Sequence, residues 1–204
     1  MRVSRLPTLA MVICGLAVAG CARTLDDVGN DDPYGGAQVM YGGSSMVRLP
    51  ADWEAQRLLT TRRVESGILT EEIVLANETV GPRENRLRVQ TRWRGPGTLY
   101  GFAAEMESPF TAQAVERALV TEFQGDAPEL EPIHRHNRHG PYLYVQTRTA
   151  DSDTCIYAWQ MTDAVSELRA ETHAFAVDLR LCQPTDDPER LLAVFDSLEL
   201  TPRL

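Results

Sequence analysis

The chain has 204 residues, 43% of them hydrophobic, with 20 basic and 29 acidic side chains and a formal net charge of −9. Every basic residue is an arginine, which excludes Schiff-base catalysis by lysine, a lysine general base and a P-loop lysine. So acidic a chain is a poor nucleic-acid binder.

Arg2 and Arg5 open the chain, Leu6 to Ala19 is apolar apart from Thr8, and small residues follow at Ala17, Ala19 and Gly20. This pattern predicts a secretory signal peptide over residues 1–20. The apolar run is short for a bilayer span, and no later stretch approaches about 20 apolar residues, so no transmembrane anchor is expected. Val18-Ala19-Gly20-Cys21 fits the bacterial lipoprotein pattern, in which the cysteine thiol accepts a diacylglyceryl group. An ordinary leader cut nearby would leave Cys21 as a stray thiol, but its position where the apolar run ends favours acylation. More than one acyl chain would hold the protein durably, each buried methylene adding about 0.8 kcal/mol. Ala22, rather than Asp, favours the outer membrane, so a periplasm-facing, lipid-anchored protein is expected. Without the two arginines of residues 1–20 the charge becomes −11.

Residues 21–45 carry Gly35-Gly36, Gly42-Gly43 and several Asp and Asn, with few apolar residues for a core, and read as a lipidated flexible tether. A single domain is expected over residues 46–204. It opens at Met46-Val47-Arg48-Leu49-Pro50, with strands predicted over Gly67 to Ala76 and Glu84 to Arg94 and a turn over Asn77 to Pro82. In the second strand Leu87, Val89, Thr91 and Trp93 alternate with Arg86, Arg88, Gln90 and Arg92, the pattern of a half-buried antiparallel strand. The outer row of Arg86, Arg88, Arg92 and Arg94 suits an anionic polymer or lipid headgroups. The commoner fate of such a row is a solvated face paired with acids such as Glu71 and Glu72.

Thr111 to Gly125 predicts a helix: Thr111 caps it, Ala114, Val115, Ala118, Leu119 and Phe123 repeat at helical spacing, and Gly125 stops it. Asp126 to Gly140, with Pro128 and Pro132, reads as a polar loop. Strands are expected over Tyr142 to Thr149, Thr154 to Met161 and Ala174 to Cys182, and a closing helix over Asp187 to Leu198. The order β-β-α-β-β-β-α lacks regular βαβ alternation, which favours an α+β fold, a mostly antiparallel sheet covered by two helices.

With Cys14 in the leader and Cys21 acylated, Cys155 and Cys182 remain, and in an oxidising compartment they read as one structural disulfide. If it bridges neighbouring antiparallel strands, Tyr157 lies opposite Arg180 and Trp159 opposite Asp178 on one face, with Ile156, Ala158, Phe175, Val177, Leu179 and Leu181 on the other. The second face is the core. The first, Tyr157, Trp159, Asp178 and Arg180, is a candidate face for a sugar or protein ligand. A second layer burying these rings is the competing reading, and Tyr142 and Tyr144 share the ambiguity.

His134, His136 and His139 form the one cluster in the sequence with metal-ligand potential. Arg135 and Arg138 share that segment and no carboxylate is near in sequence, so a solvated loop is expected and no metal or other cofactor is assigned. There is no Gly-x-Ser-x-Gly, no cysteine left to react, and the acidic pairs Asp31-Asp32 and Asp186-Asp187 sit in the tether or a turn. A non-enzymatic protein is expected. A periplasmic glycoside hydrolase is disfavoured, because it would need two carboxylates about 5 to 9.5 Å apart in a cleft.

The run Asp153-Thr154-Cys155-Ile156-Tyr157-Ala158-Trp159-Gln160, then Val177-Asp178-Leu179-Arg180-Leu181-Cys182, then Leu191-Leu192, resembles the BcsN family of cellulose biosynthesis proteins. The Met46-Val47-Arg48-Leu49-Pro50 opening, Asn85-Arg86-Leu87-Arg88-Val89 and Arg138-His139-Gly140-Pro141-Tyr142 are similar to it too, most densely over residues 138–195. The resemblance implies an envelope accessory of cellulose or related exopolysaccharide export in alphaproteobacteria. Its expected partners are cellulose synthase complex subunits or the emerging glucan, and it brings no catalytic residues. General outer-membrane assembly or envelope maintenance is the alternative role.

Overall fold

A computed structural model describes residues 38–39, 45–79, 84–92, 106–123, 131–149, 152–166, 171–185 and 187–201. The leader, Cys21, both glycine pairs of the tether, Trp93, Arg94, Gly125 and Pro128 lie outside the described residues.

In chain order the elements are β1 (Gln38–Val39), β2 (Val47–Arg48), α1 (Ala51–Glu54), β3 (Arg57–Glu65), β4 (Ile68–Leu75), β5 (Asn85–Arg92) and α2 (Ala112–Glu122). There follow β6 (Ile133–Asn137), β7 (Gly140–Arg148), β8 (Thr154–Ser166), β9 (Glu171–Gln183), α3 (Pro188–Ser197) and β10 (Glu199–Leu200). Eight strands form one antiparallel sheet in the order β1-β3-β4-β5-β9-β8-β7-β6, and β10 pairs with β2 beside it. The expected α+β class, antiparallel sheet and disulfide are all present.

The predicted helices form where their caps place them. Thr111 accepts a hydrogen bond from the Ala114 amide at the start of α2, and Asp187 accepts from the Glu189 amide ahead of Pro188 at the start of α3. Such caps satisfy amides that have no partner inside the helix, and Pro suits the first helical position.

Besides the short β2, α1 and β10, three elements depart from expectation. Arg57–Glu65 is a nine-residue strand that apolar alternation does not announce. It lies near the sheet edge, where neither face needs to be fully buried, and Leu58 is 67% exposed. Ile133–Asn137, within the expected polar loop, is the opposite edge strand, joined to β7 through the turn at Arg138-His139. Finally, Gln38 and Val39, in the stretch read as tether, pair with Arg62 and Thr61, so the sheet takes in residues ahead of Met46.

One face of the sheet holds the larger core: Leu69, Ile73, Leu87, Val89, Ile156, Phe175, Val177, Leu179 and Leu181 pack against Leu191, Leu192, Val194 and Phe195 of α3 and Trp53 of α1. Leu87 and Val89 lie inward and Arg86 and Arg88 lie on the other face, as their alternation requires. Tyr142 and Tyr144 belong to this core, with the Tyr142 ring 4.9 Å from that of Phe195.

The disulfide joins Cys155 to Cys182 between β8 and β9, in the register that also pairs Tyr157 with Arg180 and Trp159 with Asp178. Its 27-residue separation sets the stabilisation expected from constraining the unfolded chain. Replacing both cysteines with serine should lower the unfolding free energy by about 3–4 kcal/mol in denaturant melts, an effect that reduction of the wild type should reproduce.

Candidate functional site

The candidate face of Tyr157, Trp159, Asp178 and Arg180 is assembled in the expected register, but it is not a surface. All four side chains are buried, Tyr157 to 1% and Asp178 to 1% exposure. The physical reason is α2. Its Leu119 packs on Tyr157, Trp159 and Val145, with Phe110, Val115, Ala118 and Phe123 around them, so that α2 covers one face as α3 covers the other. The two rings sit 5.7 Å apart beneath it, tilted by 35°. The second-layer reading therefore replaces the exposed ligand face.

Charged groups complete this second core. Glu122, the last residue of α2 and 7% exposed, accepts a 2.5 Å hydrogen bond from Arg86 and lies 3.6 Å from the Arg180 guanidinium. Arg88 donates to Asp178 at 2.7 Å, and Glu72 stands 3.9 Å from Arg86. Arg86 and Arg88 of the arginine row are thus half-buried and neutralised, by Glu122 and Asp178 more than by the acids nearest in sequence. Glu71 points to the opposite face and pairs with Arg62 instead. Arg92 is exposed.

Burial pushes the Asp178 carboxyl above the usual carboxylate range, against the pull of Arg88, and its Oδ1 finds no hydrogen-bond partner among the described residues. The stability that this raised value contributes is fully present below the unfolded-state pKa and is lost as pH rises through the folded-state value. Across a stability titration from acid to neutral pH, the wild type should therefore lose stability relative to Asp178→Asn. A constant difference between the two curves would overturn the assignment.

The histidine segment separates into two kinds of residue. Arg135 points to the α3 side and bonds Glu189 and Asp196 at 2.8 and 2.9 Å. Asn137 donates to the Phe195 carbonyl, the His139 ring lies 3.0 Å from the Leu198 carbonyl, and Arg138 pairs with Glu199. Tyr142 donates to Asp196 at 2.6 Å, and burial first, then that carboxylate, raises its phenol pKa. The hairpin of β6 and β7 is a clasp on the C-terminal end of α3, where such contacts satisfy carbonyls the helix leaves unpaired. His134 and His136 take no part in it and are exposed. Sequence reasoning missed this clasp because the acids that partner it lie more than fifty positions downstream.

A second buried cluster also escaped the sequence. Glu71, fully buried, accepts from Arg62 at 2.6 Å, from the Met46 amide at 3.0 Å and from the Ser45 hydroxyl. It ties the start of the domain to β3 and β4.

The second core and the clasp lie within the family match, as does the larger core apart from Met46, Val47, Leu49 and Trp53. The pattern of the cellulose biosynthesis protein BcsN family matches residues 56–204, nearly three quarters of the chain. The chain belongs to that family. No curated protein and no solved structure matches it. The BcsN match begins at Gln56, one residue before β3, and takes in every strand of the sheet except β1. Membership carries a role in cellulose biosynthesis. Among the described residues no group of three or more His, Cys, Asp or Glu is placed to hold a metal ion, and no helix is long and apolar enough to cross a membrane.

Proposed function

We propose that the protein is a non-enzymatic accessory lipoprotein, anchored through Cys21 and facing the periplasm from the outer membrane, that assists secretion or assembly of cellulose by binding a subunit of the synthesis machinery. The observation that carries this reading is the BcsN family match over the sheet and both its covering helices. A protein contact is favoured over the glucan because Tyr157 and Trp159, the rings best suited to stack on sugars, are packed beneath α2. The buried charges support a non-enzymatic role: Glu71, Asp178 and Glu122 are each committed to an arginine that fastens one element to another. Leu58 and Leu59, exposed beside one another on β3, supply apolar surface for a partner.

The test is a pull-down of the full chain in detergent against periplasmic cellulose synthase subunits and against cellulose, beside measurement of polymer output in a deletion strain. Retention on a subunit with reduced or disordered polymer is the expected result. Retention on cellulose alone would make the glucan the ligand. Retention on neither, with polymer unchanged, would favour general envelope maintenance. Fractionation of wild type and Cys21→Ser tests the anchor, the variant being expected to leave the membrane fraction.

A further inference from the structure

Two features of the sequence argue against metal binding by the histidine segment: the nearby Arg135 and Arg138, and the lack of a carboxylate close in sequence to complete a ligand set. The structure removes the first. The segment is a strand, in which residues two apart share a face and stand roughly 6.6 Å from one another along the chain. Arg135 lies between the two histidines in sequence but on the opposite face, where Glu189 and Asp196 neutralise it. Arg138 is paired with Glu199. His139 is turned to the Leu198 carbonyl.

His134 and His136 are left side by side on one face of β6, at the outer edge of the sheet. Both are exposed, and neither makes a hydrogen bond or ion pair among the described residues. Their cross-strand neighbours on β7 are Leu143 and Pro141, whose side chains offer no competing acceptor or charge.

We propose that His134 and His136 form a two-imidazole site for a divalent first-row transition metal, with copper(II) bound more tightly than zinc. Neutral imidazole is a favoured ligand for both ions, and copper(II) outranks its neighbours for a given nitrogen site. The rigid strand holds both rings toward one ion, which each ring nitrogen must approach to about 2.0–2.1 Å for zinc. Two protein ligands leave further coordination positions for water, so the site is exchangeable and the metal is not needed for the fold. This inference is independent of the proposed role in cellulose export.

The experiment is calorimetric titration of copper(II) and zinc into the full chain, purified in detergent without a polyhistidine tag and carrying Cys14→Ser and Cys21→Ser to remove competing thiols. One saturable ion per chain is expected, with His134→Ala and His136→Ala each weakening it at least about tenfold while circular dichroism and the melting temperature stay unchanged. Copper(II) should also broaden the ring signals of His134 and His136 before those of His139. The proposal is overturned by the absence of saturable binding, or by binding that survives unchanged in either single variant.

Discussion

Tyr157→Ala is expected to lower the unfolding free energy by about 3–5 kcal/mol, the range for removing a large buried ring without full collapse of the space it leaves. The side chain is 1% exposed, sits on the interior strand β8, and packs between Trp159, Val145 and Leu119 of α2. Burial also pushes its phenol pKa well above the ordinary tyrosine value, so the ring is held neutral in its site. Trp159→Ala should behave alike, whereas Tyr157→Phe, which keeps the volume, should cost much less. Denaturant melts with an unchanged slope would measure the difference. Had these rings been a sugar-binding surface, alanine would have removed binding and spared the fold. A stable Tyr157→Ala protein that no longer bound its partner would show that α2 does not cover the ring in solution.

Glu71→Ala should cost a comparable 3–5 kcal/mol, the range for breaking a buried ion pair from one side. The carboxylate is fully buried and is shared by Arg62 on β3, the Met46 amide and the Ser45 hydroxyl. Its loss withdraws the acceptor from a buried backbone amide and one partner from a guanidinium that is 23% exposed. Glu71→Gln should cost less, since an amide oxygen can still accept from Met46. The effect should be local first: hydrogen exchange at Met46 and along β3 should quicken in Glu71→Gln before the larger core opens. Uniform loss of protection across the sheet would instead mean that Glu71 holds the whole fold and not its edge.

Alternation in β5 and in β8 and β9 names the larger core correctly because one face of each strand is packed with Leu, Ile, Val and Phe, and the disulfide pins the register of the central pair. Caps at Thr111 and Asp187 locate both long helices because the signal is local. β3 and β6 are silent for the opposite reason. Edge strands are held by ladder hydrogen bonds and by side chains that reach other elements, so Arg57–Glu65 and Ile133–Asn137 carry no apolar stripe. Nor could the fate of Tyr157 and Trp159 be read from α2, whose buried residues are only Leu119 and Glu122. A helix with so little buried surface does not declare which face of a sheet it will cover.

The strand order has a temporal side. β3, β4 and β5 close on one another through short connections, and so do β6, β7, β8 and β9, but β5 meets β9 across some 90 residues, the separation of Arg88 from Asp178. Closing so long a loop costs more entropy than any turn within either meander, so this seam should form late. A chain that emerges from its N-terminus completes β5 long before β9 exists, and that strand must wait with an open edge, the kind of template on which chains join one another by mistake. The strand that finally covers it is the one carrying Cys182, so oxidation and completion of the sheet converge on the same late step.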